Sequence, residues 1–122
     1  MNKEKLIRDL CARLPYDVKV LYDNKVFSID YVSSIHEEIK LDTRDNYTIN
    51  VSDVKPYLFP LSSMTEEQKM FLKQQNWCIA ISTSGTIETT VEGIDWLNKN
   101  HFDINNLIPI GLAIDATGLN IY

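Results

Sequence analysis

Chemistry in this chain would have to be assembled from few groups. The histidines are His36, followed by Glu37 and Glu38, and His101, with Asp95 and Asp103 close by. Brought together with a carboxylate they would form a metal site or a general base, since imidazole and carboxylate are the usual ligands and proton acceptors. The spacing does not ask for this: neither His-x-x-x-His nor Cys-x-x-Cys occurs. The plainer expectation for His101 is a helix terminus, where an imidazolium meets the negative end of the helix dipole. Cys78, beside Trp77, would be a nucleophile if a histidine reached it, but its apolar neighbours favour an inert thiol. Ser62-Ser63 and Ser82-Thr83-Ser84 lack a nucleophile-elbow context. Gly85, Gly93, Gly111 and Gly118 are too dispersed to cradle a phosphate. The sequence therefore assigns no catalytic residue, no cofactor and no metal.

Aromatic residues carry more information. Tyr16, Tyr22, Tyr31, Tyr47 and Tyr57 fall in or near strand-like segments, and small barrels can stack bases on such side chains. Lys19, Lys25, Lys40 and Arg44 would supply a modest basic strip beside them. The parity of Tyr22, Tyr31 and Tyr47 along their strands, however, places them in the core. The stronger surface candidate is the seam Lys55-Pro56-Tyr57-Leu58-Phe59-Pro60. There the prolines limit pairing and leave Tyr57 and Phe59 as candidate anchors for a protein partner. Trp96 and His101 form a second candidate patch.

Several elements must position these groups. Leu6, Ile7, Leu10, Cys11 and Leu14 share a face, which predicts a helix over about 3–14, ended by Pro15. Alternation predicts strands at 18–22 and 27–31 around an Asp23-Asn24 turn, then at 35–41 and 47–51. The four would make an antiparallel meander that approaches a small SH3-like barrel. Thr65 with Gln68 reads as a capping box opening a helix to about Gln75, with Met70 and Phe71 inward. Residues 77–81 read as a strand or a helix tail, and 82–85 as a loop. A helix over about 90–98 should bury Val91, Ile94, Leu97 and Trp96. Asp103 should cap a short helix closed by Gly111, with a last short strand at 112–114. The expected architecture is one α+β domain over 1–122. It comprises a helix with strands (1–54), a proline-containing seam (55–65) and a helix-rich half (66–122).

The chain has 122 residues, enough for one core, with 44% hydrophobic and 24% charged residues. Its formal charge of −5, scattered among lysines, argues against non-specific binding to phosphate backbones, so nucleic acid is not the expected partner. Cys11 and Cys78 are expected as buried free thiols in a reducing compartment. No apolar run approaches the roughly 20 residues that span a bilayer, and the first residues lack a signal-peptide core. A cytoplasmic location and no membrane association are the expectation.

Three segments carry a resemblance to a known family. They are Leu10-Cys11-Ala12-Arg13-Leu14-Pro15-Tyr16, Lys55 to Glu67, and Asp95 to Asp103 followed by Leu107-Ile108 and Gly111-Leu112-Ala113. Together they resemble a family of short uncharacterised proteins encoded in gut Bacteroides-type genomes and their phages or mobile elements. The strands between Val18 and Val51 match least. The resemblance implies a small cytoplasmic protein carried by mobile DNA and transfers no catalytic residue. The functional expectation is a non-enzymatic interaction or accessory protein that binds a host or element-encoded protein. The alternatives are a nucleic-acid-binding module using the barrel face and a small metal-dependent enzyme through His36 or His101.

Overall fold

The computed structural model describes residues 2–43, 48–81 and 87–122. The chain opens with helix α1 (Asn2–Arg13), which runs into a single 3-10 turn containing Pro15. Its buried stripe is Leu6, Asp9, Leu10 and Arg13, with Ile7 on one flank. Cys11 lies one step further round the helix and is exposed, which corrects the expectation of a buried thiol. The stripe turned because Asp9 and Arg13 take the inner positions.

Strands β1 (Lys19–Tyr22) and β2 (Lys25–Ser33) form the expected hairpin. Asp23 and Asn24 both have positive φ, as a two-residue hairpin turn of matching twist requires. β2 then pairs with β3 (Glu38–Leu41), with a register shift between Ile29 and Tyr31. This bulge turns Tyr31 outward and brings Val32 against the core, so the inward parity expected for Tyr31 is reversed. β3 is shorter than expected. Residues 34–37 turn instead, Glu37 has φ 53°, and Ile35 is 87% exposed. β4 (Ile49–Asn50) pairs with β3. Tyr47, expected in the core, and Arg44, expected in the basic strip, lie outside the described residues, as does the loop at 82–85.

After a 3-10 turn at Val51–Asp53, the seam forms β5 (Lys55–Leu58). The prolines, expected to limit pairing in the seam, do not keep it out of the middle of the sheet. The sheet order is β4-β3-β2-β1-β5-β8, with β8 (Ile114–Asp115) parallel to β5, so β5 is internal. Pro56 is tolerated because it faces Val20 of β1 on one side, while β8 reaches only Tyr57 and Leu58 on the other. The sheet is open, with β4 and β8 as its edges, and does not close into a barrel. α1 and the inner face of the sheet enclose the larger core around Leu10, Val20, Ile39, Val51, Leu58 and Leu107.

The second half packs a smaller core of Leu61, Met64, Leu72, Leu97 and Phe102. Helix α2 (Glu66–Gln74) starts at the complete Thr65–Gln68 capping box. It buries Leu72 and leaves Met70 and Phe71 exposed, the reverse of the expected face. The hairpin β6 (Cys78–Ile81) with β7 (Ile87–Thr89) follows. Helix α3 (Val91–Lys99) is capped by Thr90. It buries Gly93, Leu97 and Asn98, whereas Val91 and Ile94 are exposed. Gly93 is inside the helix for a steric reason. A Cβ there would stand 1.9 Å from Thr89 Oγ1 and 2.9 Å from the Trp77 carbonyl. The helix expected after Asp103 is a set of turns, in which the Asp103 carboxylate accepts the Leu107 and Ile108 amides, each at 2.9 Å. No helix is long and apolar enough to cross a membrane, among the described residues.

Candidate functional site: an aromatic cleft

Helices α2 and α3 end in the same way. After α2, Asn76 adopts a left-handed conformation, its amide bonds to Lys73 O (3.0 Å), and the Trp77 amide reaches Leu72 O (2.9 Å). After α3, His101 has φ 64°, its amide bonds to Asn98 O (3.1 Å), and the Phe102 amide reaches Leu97 O (2.9 Å). This is the Schellman arrangement, which usually places glycine at the left-handed position and packs the following residue back on the helix. Here the following residues are aromatic. Trp77 meets Phe71 edge-on at 5.8 Å, and Phe102 stacks on Trp96 at 5.9 Å. Phe71 and Trp96 stack at 5.8 Å, so both helix ends join one aromatic row.

The seam continues that row. Phe59 makes a parallel bridge with Phe102: its amide bonds to His101 O and its carbonyl accepts from the Asp103 amide, both at 2.8 Å. The Phe59 ring lies 6.3 Å from Phe102 and 5.9 Å from Tyr122. Tyr122 in turn stacks on His101, with centroids 3.7 Å apart and planes 12° from parallel. The Tyr122 hydroxyl donates to Tyr57 O (2.7 Å) and accepts from the Lys19 amide (2.9 Å). β1 and β5 are paired at Val20–Pro56 and Leu21–Lys55. Lys19 and Tyr57 are the next positions along, so the phenol takes the place of the next ladder contact.

A buried ion pair fixes the floor. Arg13 and Asp9 are both fully buried, and the guanidinium donates to both carboxylate oxygens, at 2.7 and 3.1 Å. Arg13 Nη2 also donates to the Phe102 carbonyl, and Asn105 Nδ2 donates to Asp9 (2.8 Å). α1 is thereby tied to the segment after His101. Burial lowers the His101 pKa to about 4. The positive charge of Arg13 adds to this, Asp17 opposes it, and Lys19 makes a smaller contribution in the lowering sense. Its Nδ1 is enclosed without a partner among the described residues. Partial burial likewise raises the Tyr122 phenol to about 12, although 43% of the residue's surface stays exposed. His101 is thus neutral at ordinary pH, which corrects the expectation of an imidazolium at the helix end.

An open cleft of about 460 Å³ lies against this wall, between Phe59, Thr65, Gln68, Lys99, His101 and Tyr122. Among the described residues, Lys99 is the one charged side chain lining it, in a chain whose net charge is −5. A second hollow of about 300 Å³ shares Lys99 and is lined otherwise by Tyr16, Trp77, Trp96 and the acidic Glu92 and Asp95. A tighter hollow of about 260 Å³ at the β1–β2 turn, between Tyr22, Phe27 and Leu41, shares no lining residue with these two among the described residues.

The two sequence-predicted patches adjoin, with Phe102 in contact with both Phe59 and Trp96. Phe59 and His101 line the cleft, and Trp96 lines the neighbouring hollow. Tyr57 is not a surface anchor: its side chain is 7% exposed, and its contribution is the carbonyl that holds Tyr122. Sequence reasoning missed Tyr122, Phe71 and the Asp9–Arg13 pair. The last had a signal, since a spacing of four placed two charges on the apolar stripe of α1. Among the described residues no group of three or more His, Cys, Asp or Glu side chains is placed to hold a metal ion. His36 lies exposed on the β2–β3 turn, with its amide on Ser33 Oγ. Cys78 is on β6, its side chain outside the description. In the basic strip, Lys19 is paired with Asp17 (2.9 Å) and Lys40 with Asp30 (3.2 Å).

No protein-family model, curated protein or solved structure matches the chain.

Proposed function

We propose that this chain is a non-enzymatic interaction protein that holds a segment of a partner protein in the cleft beside His101. The observation that carries this reading is the contiguous row Tyr122–Phe59–Phe102–Trp96, in which the buried Phe102 joins the cleft-lining rings of Tyr122 and Phe59 to Trp96 in the neighbouring hollow. Rigid aromatic side chains in a concavity give large contact area at low entropic cost, as interface anchors do. The neutral imidazole of His101 extends that wall without a charge to desolvate. Lys99, the charged side chain of the cleft among the described residues, favours a segment that carries a carboxylate. An accessory role in a phage or mobile element rests on the sequence resemblance and is part of the same proposal.

The test is site-directed photocrosslinking. A photoreactive residue replaces Thr117, on the cleft wall, and in a second protein Ile35, on the β2–β3 turn. The proposal expects a defined partner crosslinked from position 117 and lost on Lys99→Glu, with the melting temperature unchanged. Equal crosslinking from both positions, or indifference to Lys99→Glu, overturns it.

A further inference from the structure

Tyr122 is held as a ligand is held. Its hydroxyl uses both of its hydrogen-bonding capacities, on Lys19 N and Tyr57 O, and its ring is stacked on His101 and tilted against Phe59. The backbone that carries it is tied down differently. The Thr117 amide bonds to Asp115 Oδ1 and the Leu119 amide to Ala116 O, both within the segment itself. Beyond Leu119, the Tyr122 side chain makes the recorded hydrogen bonds to the body, among the described residues. Leu119 is 49% exposed, Gly118 has φ 77° and Asn120 has φ 55°, so the segment buries little as it crosses the surface.

We propose that the gap between Lys19 and Tyr57, walled by His101 and Phe59, is a recognition slot for a tyrosine side chain, occupied in cis by Tyr122. The partner segment is an extended stretch that presents a tyrosine with acidic residues beside it, and it takes the slot by displacing Tyr122. This rests on the interaction reading above. An incoming tyrosine re-forms both hydroxyl bonds and the stack, so the exchange is nearly neutral in contacts. The balance is then set by what else each segment offers. Leu119, Asn120 and Ile121 carry no charge to set against Lys99, whereas a flanking aspartate or glutamate does. Phenylalanine is rejected, because it leaves the Lys19 amide and the Tyr57 carbonyl unpaired. Phosphotyrosine is rejected too, since its phosphate has no proton to give the Tyr57 carbonyl and brings charge against it.

The probe is an amidated hexapeptide with the sequence of residues 117–122, titrated by NMR into full chains. Tyr122→Ala should bind it at least ~10-fold more tightly than the wild type, whose slot is filled. Replacing the peptide's asparagine by aspartate should tighten binding, and this gain should vanish in Lys99→Glu. The peptide with phenylalanine in place of tyrosine should bind at least ~10-fold more weakly. His101→Asn, which tolerates the left-handed backbone, should weaken binding in the Tyr122→Ala background. Tyr122→Phe, which keeps the ring, is the second host should Tyr122→Ala not fold. Absence of binding to a folded host, or equal binding of the tyrosine and phenylalanine peptides, overturns the slot. The two readings fail separately. A crosslinked partner whose contact segment lacks tyrosine sinks the slot alone. A functioning slot with no partner crosslinked from position 117 sinks the interaction reading.

Discussion

The imidazole of His101 lies flat on the phenol of Tyr122, with centroids 3.7 Å apart and planes 12° from parallel. The contact joins the end of α3 to the last residue of the chain, and the phenol passes it on to β1 and β5. The cleft wall, the sheet and the 117–122 segment are therefore coupled through one pair of rings.

Removing only the Tyr122 hydroxyl tests that coupling. Tyr122→Phe keeps the stack but leaves the Lys19 amide and the Tyr57 carbonyl without their partner. The expected loss is about 1–2 kcal/mol in urea unfolding, because two partly buried backbone groups lose one shared hydroxyl. Amide exchange at Lys19 should accelerate, while amides in α2 stay protected. Unchanged exchange at Lys19 would mean the hydroxyl bonds do not hold the strand.

His101 predicts a pH dependence with a definite sign. Its folded pKa, about 4, is below its ordinary value of 6.5, so between these values the unfolded chain binds the proton first. Stability should be level above about pH 6.5, fall as the pH drops towards 4, and lose nothing more from this group below that. Tyr122 gives the opposite flank. Its phenol is raised from 10 to about 12, so stability should fall as the pH rises through that interval. Unfolding curves for His101→Asn should lack the acidic slope, and those for Tyr122→Phe the alkaline one. A slope that survives in the variant belongs to another group.

Much of the fold was legible where local rules decide. The Asp23-Asn24 turn and the Thr65–Gln68 box are each written within a few residues, and each formed. The expectations that failed were those settled by distant partners. Tyr31 faces outward because of a bulge in its pairing with β3, which alternation along β2 cannot reveal. Pro56 sits in an internal strand because β8, some 58 positions later, pairs only beyond it. Of the site, Phe59, Trp96 and His101 were legible as aromatic or chemically capable residues near breaks in the pattern. Tyr122 was not, since nothing local announces that a side chain will fill the gap between Lys19 and Tyr57.

The buried Asp9–Arg13 pair should behave asymmetrically. Asp9→Ala leaves a guanidinium fully buried with only the Phe102 carbonyl as its partner among the described residues, and should cost about 3–5 kcal/mol. Replacing both together, as Asp9→Leu with Arg13→Met, should recover most of that loss, because the desolvation cost of two charges disappears with them. A double-mutant cycle by denaturation measures the coupling. Additive losses would show that the pair does not act as a unit.

The two Schellman ends allow a matched comparison. Asn76 and His101 both occupy a position that favours glycine, at φ 59° and 64°. Asn76 is exposed, and its side chain has no recorded partner among the described residues, so Asn76→Gly should change stability by no more than about 0.5 kcal/mol. His101→Gly relieves the same backbone conformation but removes the ring that Tyr122 rests on. It should therefore destabilise the protein and speed exchange at the Lys19 amide, although glycine is the better residue for the turn. Combining His101→Gly with Tyr122→Ala should then add little, because the first substitution has already released the phenol. If His101→Gly instead stabilises the chain, as the turn alone would have it, the stack does not hold Tyr122 in place. The hydroxyl bonds to Lys19 and Tyr57 would then have to do so alone.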